Sequence, residues 1–435
     1  MADPRLSRGA MPIGSRCLSL ALLATAALMG LAGCAEDAIV AVDPDVPGAT
    51  VPTVEISAVA SDLEGWQDTT YSGFELPATS AFKLLADRAD LLSRVLGRFD
   101  VPDSIITSFG IEEIDTFVDA SFRVALDFGA DPDSVVVPNY QLQVFALEES
   151  FDSLSATWTD RREGDPWILP GGTLGELLAS GNFIAAVDTA VLEFSAPVDE
   201  VLEAWQETDG EPGVALVMVG GPPELAVTSF DLATQVMVVG RADTVPATFF
   251  SRGPTFIYDP AQPSPGQSLR LAGLPAWRLY VEFTLPDVLS GVQLGETTIN
   301  HAELRFRPLP PPEAPFPLGR AIVATAVEVL ADAFEVGAKV PVGAPIPDPQ
   351  TGVAQFISVT PDGLEEGDVI RVNVTRLVEL VAGADTLTQV RLTVRAAPTD
   401  GQAFGFWDFG SVESPLSLQP EFRMLVTPPI GFPVP

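Results

Sequence analysis

Short runs of alternating apolar and polar residues, cut at close intervals by 40 prolines and 36 glycines, leave this chain little room for long helices. Phe122, Val124 and Leu126 alternate with Arg123, Ala125 and Asp127. Leu142, Val144 and Ala146 repeat the pattern, as do Leu279, Val281 and Phe283, and Ile370, Val372 and Val374. Such period-two runs between turn residues predict half-buried antiparallel strands, and many of them predict a sandwich or barrel. Three stretches read as short helices: Leu174 to Ala179, Val198 to Trp205 and Leu377 to Val381. The expected fold class is all-β.

The alternating pattern also recurs along the chain. Arg98-Phe99-Asp100-Val101-Pro102-Asp103 returns as Glu282-Phe283-Thr284-Leu285-Pro286-Asp287, and Asp119 to Arg123 returns as His301 to Arg305. Val191 to Phe194, followed by a helical turn, matches Val369 to Val372 and the turn after it. Val214 to Val217 matches Val390 to Thr393. The spacing drifts one way, from 184 to 176 residues, as changes in loop length would produce. The expectation is two tandem antiparallel β-sandwiches over 54–253 and 267–435, joined by a Pro-rich linker at 254–266.

Ahead of them lies a segment of another kind. Arg5, Arg8 and Arg16 precede an apolar run from Cys17 to Met29, shorter than the roughly 20 residues a membrane-spanning helix needs. Small residues then lead to Leu31-Ala32-Gly33-Cys34. This layout resembles the signal and lipobox of bacterial lipoproteins. The resemblance implies a signal peptide over 1–33, cleavage before Cys34, and acylation of the Cys34 thiol and of its freed amine. Two or more acyl chains hold a protein stably on a membrane. Ala35 in place of an Asp implies, by the same resemblance, sorting to the outer membrane of the bacterial envelope. Residues 34–53, with Asp43-Pro44-Asp45 and Pro47-Gly48, read as a flexible tether.

Composition excludes several roles. Cleavage after Gly33 would leave 20 basic against 58 acidic residues, which is hostile to nucleic acid and to anionic lipid surfaces. The mature chain would keep a single cysteine, itself modified, and one histidine, His301. Disulfide frameworks, thiolate metal sites and most histidine-based chemistry fall away. No nucleophile elbow, His-Glu-x-x-His or glycine-rich phosphate loop occurs. No resident cofactor is expected. Asp131-Pro132-Asp133 is an oxygen-rich loop of a kind that could hold calcium, with Asp131 and Asp133 as the candidate donors.

Three further motifs resemble the DNRLRE-type domains of secreted bacterial proteins, grouped with carbohydrate-binding modules. Phe151 to Trp158 fits a Ser-x-x-Thr-Trp-like step, and Val372-Asn373-Val374-Thr375 with the turn after it fits a Val-x-Val-Thr signature. Phe409-Gly410-Ser411-Val412-Glu413-Ser414 with Pro420-Glu421-Phe422 fits the closing signature. The resemblance implies jelly-roll sandwiches with a non-catalytic, carbohydrate-binding or surface-structural role. For sugar binding, Trp158 and Trp167 flank an acidic and basic loop, while Phe406 and Trp407 must point to opposite faces of one strand. These four aromatics are the candidate platform, with polysaccharide or a surface protein as the candidate partner. Two alternatives stand beside glycan binding: a structural lipoprotein assembling with a partner protein, and a glycoside hydrolase using a pair of acids.

Overall fold

A computed structural model describes residues 53–72, 76–128, 137–273, 276–313, 316, 322–347, 352–359, 369–384, 388–396 and 404–428. In chain order the first strands are β1 (Val54–Val59), β2 (Gln67–Ser72), β3 (Lys83–Arg88), β4 (Leu91–Phe99), β5 (Ser104–Thr107), β6 (Gly110–Asp127) and β7 (Tyr140–Leu147). A small ribbon of β8 (Asp160–Arg162) and β9 (Asp165–Pro166) follows, then β10 (Leu174–Phe183), β11 (Thr189–Glu193), α1 (Val198–Thr208), β12 (Val214–Gly220), β13 (Leu225–Val238) and β14 (Thr244–Asp259). The rest comprises β15 (Leu269–Ala272), β16 (Trp277–Thr284), the ribbon β17 (Val288–Leu289) and β18 (Val292–Gln293), β19 (Thr298–Phe306) and β20 (Ile322–Val329). Then come α2 (Ala333–Val336), β21 (Val342–Pro345), β22 (Phe356–Val359), β23 (Ile370–Asn373), α3 (Thr375–Ala382), β24 (Gln389–Ala396), β25 (Phe406–Phe409) and β26 (Glu421–Thr427). All pairings are antiparallel, and the fold is an all-β sandwich architecture.

The strand order occurs twice. In the first sandwich β11-β6-β13 faces β10-β7-β12-β4; in the second, β23-β19-β26 faces β21-β20-β24-β16. Each copy crosses between its layers through a helix, α1 against β6 and α3 against β19. Asp199 and Glu200 sit in the first turn of α1, where the helix dipole favours negative charge. Asp199 Oδ1 also accepts from Thr116 Oγ1 at 2.7 Å and Phe117 N at 2.9 Å, tying α1 to β6. Leu202 and Trp205 go into the core.

The pairing refines the repeat. Leu192 stands opposite Phe122, and Val372 opposite Leu304, so Leu192 corresponds to Val372. Ala215 likewise corresponds to Thr393 through Leu96 and Tyr280. Both matches move two residues from the spacing read off the sequence, one full strand period, which keeps each side chain on its face.

The expected boundaries at 54 and 254 give way to a different partition. β1 pairs with β26 from Val54↔Val426 to Val59↔Glu421, and β2 pairs with β16. Residues 54–72 therefore complete the second sandwich, and the first is inserted between them and the rest of it. A strand's pattern shows which face is buried but not which distant edge it joins, so the sequence offered no sign of this. The anticipated linker is part strand: β14 runs to Asp259, and Pro254 sits within a bulge against β4, where a missing N–H is tolerated. The helix expected at Leu174 to Ala179 is instead strand β10. Two register shifts, Leu174 to Leu177 and Leu177 to Ala179, break its alternation and mimic helical spacing. The other two helices form where expected.

Candidate functional site

The second sandwich has an opening in its larger sheet. β2 is laddered to β16 on one side, while on the other β15 and β25 pair with each other. Side chains of β2 fill the gap between them. Thr70 Oγ1 lies 2.9 Å from Arg270 O and 3.0 Å from Arg278 O, sharing its proton between them. Two residues back on the same face, Asp68 Oδ2 accepts from Val412 N at 2.8 Å and Trp66 Nε1 at 3.0 Å. The result is an open cleft of about 580 Å³, lined among others by Gln67, Asp68, Thr69, Ser268, Trp277 and Glu413.

Both walls are built locally. The Ser411-Val412-Glu413-Ser414 turn is held by its own hydroxyls: Glu413 N donates to Ser411 Oγ at 3.2 Å, and Ser411 N to Ser414 Oγ at 3.0 Å. Gln419 Nε2 donates to Val412 O at 2.8 Å and Ser414 O at 3.0 Å. The turn from Ser411 to Ser414 is thus a wall of the cleft. The opposite wall, Ser264 to Ser268, hangs on Arg270, which is only 2% exposed. Its guanidinium forks onto Asp408, Nε to Oδ1 at 2.7 Å and Nη2 to Oδ2 at 2.8 Å, while Nη1 donates to Pro263 O. Trp277 Nε1 donates to Gln262 Oε1 at 2.9 Å; its part-exposed ring packs against the cluster of Phe406, has the Arg270 guanidinium carbon 5.6 Å from its centroid, and lines the cleft. Burial raises the Asp68 carboxyl above its usual range and the nearby Glu413 charge adds to this, against the two hydrogen bonds that favour the carboxylate.

The aromatics singled out from sequence lie elsewhere. Trp167 is 5% exposed, in a cluster with Leu96, Leu147 and Phe151, and its Nε1 donates to Thr157 O at 2.9 Å. Trp158 packs against the same cluster beneath Arg94, whose guanidinium carbon lies 5.0 Å from the ring centroid. Gly171, at φ +85°, permits this: a Cβ there would meet the indole at 2.7 Å. Phe406 and Trp407 do point to opposite faces, yet they are 2% and 3% exposed. Trp407 enters the core of the second sandwich, and Phe406 enters a cluster shared with the first, stacked on Phe316 at 5.8 Å. Both faces of that strand are covered, so neither ring forms a platform. Cys34, Asp131 and Asp133 lie outside the described residues. Among the described residues no group of three His, Cys, Asp or Glu side chains is arranged to hold a metal ion, and no helix is long and apolar enough to cross a membrane.

Beyond the Ser411 to Ser414 motif, the residues of the cleft carry almost no mark in the sequence. Asp68 and Glu413 are brought together by strand pairing across almost the whole chain, and nothing local announces that. The one available signal was Trp66-x-Asp68, an indole donor just before β2 and a carboxylate two residues on within it.

No protein-family model and no curated protein matches the chain. Among solved structures, that of the infectious bursal disease virus Gt strain is 12% identical, over 88% of this chain and 77% of that one, at a TM-score of 0.14. The infectious bursal disease virus VP2 subviral particle is 13% identical, over 88% and 78%, at 0.11. Likeness at that level carries no argument about fold or function.

Proposed function

We propose that this chain is a lipid-anchored protein of the bacterial envelope, held through Cys34, that binds a glycan in the Trp277–Asp68 cleft without turning it over. The observation that carries the reading is the cleft itself, where a part-exposed indole stands beside the carboxylates of Asp68 and Glu413, the amide of Gln67 and the hydroxyls of Thr69 and Ser268. A pyranose presents an apolar face to an indole and hydroxyls to acids and amides. With two carboxylates and no exposed cation in the wall, neutral or amino sugars suit the site better than uronic acids. Asp68 Oδ2 accepts from Trp66 and from the Val412 amide, which fixes the carboxylate in the cleft and leaves Oδ1 for a sugar hydroxyl.

Affinity electrophoresis through neutral, amino-sugar and uronate polysaccharides tests this. Trp277→Ala and Glu413→Gln are expected to lose at least tenfold in affinity for the retained polymer while far-ultraviolet circular dichroism and the melting temperature stay close to wild type. Retention unaffected by either change overturns the reading. Cys34→Ala is expected to release the protein from membranes and abolish incorporation of labelled palmitate.

One observation favours assembly with a partner protein as a second reading. The β5–β6 hairpin carries Ile106, Phe109 and Ile111 at 85%, 76% and 77% exposure, with Arg241 stacked over Phe109 at 4.3 Å. Loss of a co-purifying envelope protein on Ile106→Ser with Ile111→Ser, with polysaccharide retention intact, would show that the hairpin serves assembly.

A further inference from the structure

The first sandwich contains a second opening, unrelated to the cleft. At one corner both β3 and β14 cross between layers. β3 pairs with β13 through Lys83 to Leu85 and then with β4, and β14 leaves β13 at Phe250 to join β4 at Ser251. The strands there are bulged, β13 between Val227 and Ser229 and β14 between Arg252 and Thr255. Bulges re-aim side chains and interrupt pairing, and here they leave a pocket of about 280 Å³.

Lys83 lies in the wall of this pocket and is 6% exposed. Its Nζ donates to Ser80 O, and among the described residues no carboxylate forms an ion pair with it. An ammonium has three donors, so two of them lack an acceptor among the described residues. Burial without a counter-charge pushes the amine down to about 8. Keeping an unpaired lysine here costs stability that an apolar residue would not. Asp231, also in the wall, is engaged by Ser229 Oγ at 3.0 Å. The remaining lining includes Val95, Val227, Phe230 and Phe250.

We propose that this pocket binds a small monocarboxylate, with its carboxylate on Lys83 Nζ and an apolar body against the Val227 and Phe250 side of the lining. One cation neutralises one negative charge, and Asp231 opposes a second, which disfavours phosphate and dicarboxylates. The volume admits a small molecule and not a polymer chain.

The chain has only two lysines, Lys83 and Lys339, so full-length protein labelled at lysine ¹³Cε gives two readily assigned signals. Benzoate is the probe and benzamide its neutral counterpart. Benzoate is expected to shift the Lys83 signal saturably, leave Lys339 in place, and bind at least tenfold tighter than benzamide. Lys83→Met should abolish the saturable binding. Phe250→Glu alters a side chain 72% exposed at the mouth, so folding is preserved; it should weaken benzoate at least tenfold by repulsion. Equal shifts of both lysines without saturation, equal binding of benzamide, or wild-type affinity in Phe250→Glu would each overturn the proposal.

Discussion

The two sandwiches share a strand order but finish it with different parts of the chain. In the first, β14 turns back from β13 and completes both layers, pairing with β13 and then with β4. In the second the same two places, beside β26 and beside β16, are taken by β1 and β2 from the far end of the chain. The cores repeat the substitution. Phe99 has a tryptophan stacked on it at 5.8 Å, supplied by α1 as Trp205. Phe283, its counterpart, has one at 5.2 Å, supplied by the N-terminal segment as Trp66. The same packing problem is solved once locally and once at long range. The open cleft occurs where the long-range solution fits less completely, because β2 covers β16 but leaves its other edge to side chains.

The largest expected effect therefore comes from removing residues 54–72. That deletion takes Ile56, Leu63 and Trp66 out of the second core, a loss of roughly 5–9 kcal/mol at the usual 1.5–3 kcal/mol per large buried apolar side chain. Limited proteolysis should then cut within 269–427 while a fragment spanning 83–259 survives. Equal digestion of both parts would break the comparison.

Next comes Asp408→Ala, which strands the buried Arg270 guanidinium beneath the cleft wall. About 3–5 kcal/mol of stability should be lost, read by chemical denaturation, and the double change to Arg270→Met with Asp408→Leu should recover most of it.

Glu303 gives a pH test confined to the second sandwich. Burial alone would raise its carboxyl, but hydrogen bonds and charge from His301 and Arg305 outweigh this and bring it down to about 2. The folded value lies below the unfolded one, so its stabilising contribution is present above the ordinary carboxylate range and is lost as pH falls toward 2. The contribution is at most about 3 kcal/mol, and Glu303→Gln should flatten the acid limb of a stability–pH curve. Asp68 has the opposite sign. Its folded carboxyl holds a proton more tightly than the unfolded one, so acidification into the raised range stabilises and rising pH removes that gain. Asp68→Asn should abolish this small slope, measured by thermal melts between pH 7 and 4.

Much of the fold was legible because strand patterning is local. The alternation around Phe122, Leu142, Leu279 and Ile370 identifies real strands, and the repeat of Arg98 to Asp103 at Glu282 to Asp287 reflects equivalent strands β4 and β16. What depends on partners was not legible. The destination of β1, the burial of Phe406 and Trp407 from both sides, and the meeting of Asp68 with the Val412 amide are all set by residues far away in the chain. Aromatic richness alone could not separate Trp167, packed on Leu147, from Trp277, which lines the cleft. The Ser411 to Ser414 motif stands out in the sequence, but its part in a cleft wall appears only once β2 lies beside it.

The pairing of β1 with β26 also sets an order of events during synthesis. Val54 and Val426 are the first and last residues of that pair, so the ribosome releases one strand long before its mate exists. The inserted sandwich, whose pairings lie within residues 83–259, has all of its strands in hand while β1 and β2 still wait. A message truncated anywhere before β26 yields a chain in which the edge of β1 has no strand to pair with. Pairing of that edge is thus a molecular record that synthesis has passed β26, and the unpaired strand of a chain cut short before it is an edge that proteases and chaperones can detect.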